Sequence, residues 1–473
     1  MKENFPHDNK EELQELLQQY NNLRSGKTSS YLEEDSFEKI IDYFDEKADL
    51  NKALEAAETG LEYFPFSSEL LVKKADLLIA LRHYREALII LEQAILYDRT
   101  NINIYILKID ALLALDMQPV AVELLEEALL LFGGEEKLEL LFELADVYDD
   151  YEEFDKVFDC LQLILEHDPV NEEALYKICF WTDFTRRNEE SIRLHQKIID
   201  NHPYNELAWF NLGAAFQGLK LYEKAIDAYQ YAVVIDEKFD YAYRNMGDAY
   251  IRLRKYKDAI EVLEKVLELT RPEQVIYEAI GHCYFRLGKL APARFNYRKA
   301  SHMNPENSKL IYKIALTYMR ENQWEYAIKQ LENAMRIHRS VPEYNLALGD
   351  CAMQLYRYKE AIQYFGVVVH SKPKNVKAWE SLIGCLYKAE YFEEAKQQCL
   401  AALKATEYKP FFYFLYSVAL IATGKIKEGL LQLEYGLNRA PRLIKKLIRL
   451  YPAIIQNMQV AEMLMKFKKR KKF

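Results

Sequence analysis

An all-α solenoid is predicted, and three features of the sequence predict it. A 34-residue pattern runs three times without insertion from Glu206 to Asn307. Trp209, Tyr243 and Tyr277 open the copies, Leu212-Gly213, Met246-Gly247 and Ile280-Gly281 follow, and Phe216, Tyr250 and Tyr284 come next. Within each copy apolar residues fall at i, i+3, i+4 and i+7 twice over, which makes each copy two amphipathic helices. Small residues then recur in register at Ala225, Ala259 and Ala293, followed by Tyr229, Leu263 and Tyr297 and by Ala232, Val266 and Ala300. A fixed period near this length marks a stack of repeats whose faces bury one another.

The spacing W-x-x-L-G-x-x-Y…A…A…P, closed by Pro272 and Pro305, resembles the tetratricopeptide repeat. The resemblance implies a right-handed superhelix of about twelve helix-turn-helix units, with a concave groove that holds partner segments. Gly213 or Gly247 on the first helix, with Ala225 or Ala259 on the second, is expected to let two helix backbones approach closely. The ring at the opening position would fill the space beside that contact, so Trp209 and Trp379 are read as core.

Taken in order, residues 9–24 form an acidic amphipathic helix carrying Leu13, Leu16, Leu17 and Tyr20 on one side, and Ser25–Ser30 make a loop. Residues 1–33 are thus an N-terminal cap. Repeats follow at 34–67, 68–101, 102–137, 138–171 and 172–205. The third exceeds the period by two residues, and Gly133-Gly134 are expected to absorb the excess in a turn. The fifth is degenerate, with Cys179 for the glycine and Ser191 for the alanine. After the three model copies come 308–341, 342–375, 376–409 and 410–443, where Gly429 and Gly436 stand in for the two alanines. Residues 444–473 are read as a C-terminal capping helix with a basic tail. There Leu443, Ile444, Leu447 and Ile448 supply the buried side, and Lys445, Lys446 and Arg449 the wet one.

Composition agrees. Half the residues are apolar, and glycine (15) and proline (13) are scarce, which argues against long disordered linkers. No apolar run is long enough to span a bilayer, and the N-terminus lacks a signal-peptide core. Six cysteines without a C-x-x-C pair read as reduced thiols in a cytoplasmic protein. Cys283, Cys351 and Cys385 share one repeat position, where a small buried residue is wanted.

Charge is uneven. Residues 1–170 hold 39 Asp+Glu against 15 Lys+Arg, a net of −24, and the rest hold 34 against 48, a net of +14. A basic partner at one half and an acidic one at the other would account for this. Head-to-tail self-association would do so too, as would plain solvated faces.

A finer pattern lies within the repeats. The ninth position of the first helix is aspartate at Asp42, Asp76, Asp110, Asp146, Asp248 and Asp350. By the resemblance this position faces the groove, so the N-terminal repeats would offer a ladder of carboxylates to a basic segment. Local pairing, for instance with Lys39, Lys73 or Arg244, is the competing reading. Further along, Tyr176, Phe180, Phe210 and Tyr241 fall at groove-type positions beside Asn211, Arg244 and Asn245. Rings near amides suit an extended peptide, although burial against neighbouring helices would explain them as well.

One familiar activity of such repeats is disfavoured. Gripping a C-terminal carboxylate takes Lys and Asn on one helix, Asn on the next and Lys/Arg on a third. Here Asn211 and Asn245 match the middle position, but Phe180 and Ala214 stand where asparagine is needed. Signatures of phosphate-binding loops, zinc proteases and serine hydrolases are missing, and no cofactor or metal is called for. The sequence therefore reads as a non-catalytic scaffold for a protein or peptide partner. Self-association remains open, no membrane span is expected, and nucleic acid is the minor alternative through the basic tail.

Overall fold

A computed structural model describes residues 7–25 and 31–471. Most of the predicted 25–30 loop lies outside the described residues, as do the side chains of the basic tail beyond Phe467. The chain forms two compact units, Met1–Glu237 and Lys238–Phe473.

In unit 1, α1 (His7–Arg24) precedes six helical hairpins. They are α2 (Glu34–Glu46) with α3 (Leu50–Tyr63), α4 (Ser68–Ala80) with α5 (Tyr84–Tyr97), and α6 (Ile102–Ala114) with α7 (Gln118–Leu131). Next come α8 (Gly134–Asp150) with α9 (Phe154–His167), α10 (Glu172–Thr185) with α11 (Asn188–Asn201), and α12 (Glu206–Gly218) with α13 (Tyr222–Ile235). Unit 2 holds α14 (Asp240–Arg252) with α15 (Tyr256–Leu269), α16 (Gln274–Arg286) with α17 (Leu290–Met303), and α18 (Ser308–Arg320) with α19 (Trp324–Ile337). It continues with α20 (Pro342–Gln354) and α21 (Tyr358–Ser371), α22 (Val376–Lys388) and α23 (Phe392–Ala405), and α24 (Pro410–Ala422) and α25 (Ile426–Arg439). Then come α26 (Ile444–Leu450) and α27 (Met458–Lys471).

Local chemistry sets these boundaries. The first helices start where the 34-residue register begins, commonly behind a capping side chain. Asn171, Asn205 and Asn375 each accept a hydrogen bond from the backbone N–H three residues on, at 3.0, 2.8 and 3.1 Å. Every turn inside a hairpin carries one residue with positive φ, from Ala48 (58°) through Arg82 and Asp116 to Glu390 (62°). Only Gly288 and Gly424 meet that demand with glycine, so the sequence hides this recurring element behind ordinary side chains.

The core is a ribbon of small residues faced by large ones. Ala53, Ala87, Ala121, Ala225, Ala259, Ala293, Ala327, Ala361 and Ala395 are fully buried on the second helices. The glycines do more than bring backbones together. A Cβ on Gly213 would lie 2.6 Å from the Tyr229 ring, on Gly247 2.7 Å from Leu263, and on Gly349 2.5 Å from Phe365. Glycine on the first helix clears room for a large side chain of the second, and hairpins with a small residue there pack their two helices more closely than those with Ile109, Cys179 or Ile383. Trp209 and Trp379 pin the preceding loop, donating from Nε1 to Pro203 O (2.8 Å) and Pro373 O (2.7 Å).

Two departures have local causes. The excess in the third repeat lengthens α8 by a turn at its start, Gly134 taking a φ of 61°. In the fifth, α11 lies against α12 and hardly against α10, while α10 rests on α12 directly. His195 stands there where most of the other hairpins place Leu, Tyr or Phe.

At the other end, Leu447, Tyr451, Ile454 and Val460 close the core of unit 2. Lys446 is not on the wet side as expected. It bonds both carboxylate oxygens of Glu380 on α22 at 2.7 Å and lies 3.9 Å over the Phe411 ring of α24.

Candidate functional site: an acidic and aromatic face

In unit 1 α2 lies against α4, α4 against α6 and α6 against α8, while α10 meets α8 through Lys177, which reaches Asp146 and the Phe142 ring; direct contact between successive second helices is sparse. Residues at the same repeat position on α2, α4, α6, α8 and α10 are therefore neighbours across one surface.

The acidic ladder falls on that surface. Asp76 and Asp110 are exposed on α4 and α6, and neither forms an ion pair within 4.0 Å among the described residues. Although both side chains reach solvent, the helices around them strip part of the carboxyls' hydration, and this partial desolvation raises both pKa values. The second cause is a neighbouring carboxylate: Asp45 acts on Asp76, against Lys73, and Asp76 on Asp110. Glu143 on α8 extends the line, raised by burial and then by Asp110 and Asp146. The outer rungs are compensated. Asp42 pairs with Lys73 at 2.5 Å, and Asp146 meets Lys177 at 3.5 Å, a lysine also held by Glu173 at 2.9 Å. The sequence pattern named Asp42 and Asp146 but missed Asp45 and Glu143, which lie three residues from the aspartate position and so reach the same face.

On α10 the face turns aromatic. Tyr176 and Phe180 are 59% and 61% exposed, and Phe184, one turn on, is 54% exposed. Phe180, Trp181 and Phe184 pack together with Phe154, at ring separations from 4.8 to 6.0 Å. Phe184 was not singled out from the sequence, although the i, i+4, i+8 spacing from Tyr176 carries the signal. Phe210 on α12 is half-buried, 5.7 Å from the Tyr229 ring.

Asn211 does not reach the surface. It is buried, and its amide donates to Leu175 O at 2.7 Å and to His195 Nε2 at 3.2 Å. His195 Nδ1 in turn lies 2.7 Å from Ser191 O, which places the proton on Nδ1. Burial lowers this imidazole's pKa to about 4.

Five candidates fall in unit 2. Tyr241 is exposed and Asn245 half-buried. Arg244 is held by Asp240 at 2.8 Å and by both oxygens of Glu273 at 2.7 and 2.8 Å, so its guanidinium is occupied within the chain rather than offered to a partner. Asp248 meets Arg252 at 3.4 Å. Asp350, half-buried and raised by burial, lines a cavity of about 380 Å³ with Phe285, Leu316, Met319 and Arg320. Among the described residues no group of three or more His, Cys, Asp or Glu is placed to hold a metal, and no helix is long and apolar enough to cross a membrane. Cys283 and Cys351 are buried, their thiols pushed up to about 12 by that burial.

Stacked helical hairpins with a register of small and large residues define a helical-repeat protein. Residues 68–101 match the model of the tetratricopeptide repeat, and residues 217–345 match that of the tetratricopeptide repeat protein 21 C-terminal ARM domain. The chain carries tetratricopeptide-type repeats in these two stretches. No curated protein matches it. Among solved structures it is similar to the Cut9–Hcn1 hetero-tetramer of the APC/C, at 13% identity and a TM-score of 0.36 over 82% of this chain and 97% of that one. It is also similar to YrrB, a TPR protein with an unusual peptide-binding site, at 16% identity and a TM-score of 0.36 over 40% and 96%. The C-terminal part of a TPR protein from Cytophaga hutchinsonii gives 15% identity and a TM-score of 0.44 over 54% and 99%. These likenesses are too low to transfer a partner.

Proposed function

We propose that the protein is a non-catalytic scaffold, and that the face of α4, α6, α8 and α10 in unit 1 captures a basic segment of a partner protein. Lysine or arginine side chains of that segment would rest on Asp76, Asp110 and Glu143. An apolar side chain beside them would lie on Tyr176, Phe180 and Phe184. Aromatic anchors next to charge are the usual composition of binding hot spots. The observation that carries the reading is the pair Asp76 and Asp110: like charges on adjacent helices, without a cation bridged to either. Repulsion of this kind disfavours the free surface and is relieved when a cation arrives.

The test replaces Asp76, Asp110 and Asp146 together with Asn and measures partner capture at low and high salt. Exposed pairs contribute roughly 0.2–1 kcal/mol each, so capture by the triple variant weakens about ten- to hundredfold at low salt, and less at high salt. Unchanged capture at both concentrations rules the reading out.

A further inference from the structure

Unit 2 carries the opposite charge to unit 1. Residues 1–237 hold 50 Asp+Glu against 22 Lys+Arg, a net of −28, and residues 238–473 hold 23 against 41, a net of +18. Within unit 2 the cations are arranged. The last residue of each first helix is Arg252 on α14, Arg286 on α16, Arg320 on α18, Gln354 on α20, Lys388 on α22 and Ala422 on α24. The four charged ones are exposed.

A cation at a helix C-terminus is favoured by the helix dipole alone, but that demand does not explain the row. In unit 1 the same register position holds Glu46, Ala80, Ala114, Asp150, Phe184 and Gly218, and those helices form without one.

The guanidinium groups are held in place and left with donors to spare. Arg320 lies 5.0 Å over the Phe285 ring and spends one N–H on Phe285 O at 2.8 Å. Arg286 lies 5.4 Å over Tyr256. Neither of these, nor Lys388, forms an ion pair within 4.0 Å among the described residues, and only Arg252 meets a carboxylate, at 3.4 Å. Stacking on a ring fixes the planar fork before anything binds, so less side-chain freedom is lost on binding. Beside the row, burial and then Lys313 and Arg286 lower the His282 imidazole's pKa, against Glu278, which raises it and pairs with Lys313 at 2.5 Å.

Packed helices lie about 8–10 Å apart, and an extended chain rises about 3.3 Å per residue. One step along the row thus matches about three residues of an extended segment. At α20 the step changes character. Gln354 stands in for the cation, and the cavity beside Arg320 has Phe285, Leu316 and Met319 in its walls and Asp350 at its side, which excludes an acidic side chain and suits an apolar one.

We propose that this row docks an extended acidic segment of a partner protein, with carboxylates about three residues apart on Arg286 and Arg320 and an apolar side chain entering the cavity beside Arg320. The proposal is independent of the reading given for unit 1.

The experiment uses the full chain and short fluorescein-labelled peptides. One carries glutamate at every third position with a leucine after the second, another has the same composition with the glutamates in one block, and a thymidine oligonucleotide of similar length is the third probe. The spaced peptide is expected to bind more tightly than the blocked one, in a salt-dependent way. Arg286→Gln with Arg320→Gln is expected to lower its affinity about tenfold or more. Arg271→Gln with Lys309→Gln, basic residues off the row, leaves it unchanged. Equal loss in both double variants means diffuse charge and overturns the proposal. So does equal binding of the two peptides, absence of binding to the wild-type chain, or tighter arginine-dependent binding of the oligonucleotide. Circular dichroism of each variant confirms that the helices are intact.

Discussion

The ring of Tyr229 lies against the backbone of Gly213, with Cδ1 and Cε1 each 2.6 Å from where a Cβ on that glycine would stand. The ring is fully buried, so it has nowhere to retreat. Gly213→Ala is therefore expected to cost about 1–3 kcal/mol, as overpacking of a tight core does. Where the first helix has Ala75 or Ala315 instead, the facing position holds Leu91 or Leu331. Combining Gly213→Ala with Tyr229→Leu should then restore most of the loss. Denaturant unfolding of the two single variants and the double variant checks this, and additive losses would exclude the coupling.

The Gly213–Tyr229 pair also shows how far the sequence could be read. Its 34-residue register fixed the starts of the first helices and the positions of the small residues, because periodicity reports burial directly. What the glycine makes room for was not legible, since a small residue is equally consistent with a close backbone or a large partner side chain. Asn211 looked like a peptide-binding amide because its position, not its burial, was visible. Its partner His195 lies 16 residues away and emerges only once α11 has packed on α12. The ladder was legible at Asp76 and Asp110. That Asp42 and Asp146 are neutralised by Lys73 and Lys177 was not, because each lysine sits 31 residues on.

His195 makes unit 1 sensitive to acid. Its folded-state pKa, about 4, lies below the ordinary value near 6.5, so the unfolded chain takes up the proton first. The stability contributed by the neutral imidazole is full above the ordinary value and lost as pH falls towards the folded one. A depression of this size costs roughly 2 kcal/mol by pH 5. Denaturant unfolding at pH 7 and pH 5 should show that loss in the wild-type chain and not in His195→Gln. An identical pH dependence in both would show that His195 does not titrate in this way.

Ser417 is the clearest site for stabilising unit 2. It sits on α24 at the register position of Gly213 and is fully buried, and its hydroxyl has no hydrogen-bond partner among the described residues. A buried hydroxyl left unpaired costs about 1–3 kcal/mol. Ser417→Ala removes the hydroxyl with little change in volume, and the melting temperature of unit 2 is expected to rise by a few degrees. A fall would mean that the hydroxyl is satisfied in solution.

The carboxylates of the acidic face should behave in the opposite sense to His195. Asp76, Asp110 and Glu143 have folded-state pKa values raised by desolvation and then by neighbouring carboxylates, Asp45 for Asp76, Asp76 for Asp110 and Asp110 for Glu143. The folded state thus prefers them protonated, and their charged forms weaken it at neutral pH. That cost fades as pH falls through the raised values and is gone below the ordinary carboxylate range, about pH 4. Asp76→Asn with Asp110→Asn is therefore expected to raise the thermal stability of unit 1 at pH 7 and low salt. The gain should shrink with added salt and vanish at acidic pH. A chain that keeps repelling carboxylates against its own stability, and loses partner capture when they are neutralised, holds them for binding. A double variant less stable at pH 7 would instead make Asp76 and Asp110 part of the fold, and the acidic face would lose its claim to be a binding site.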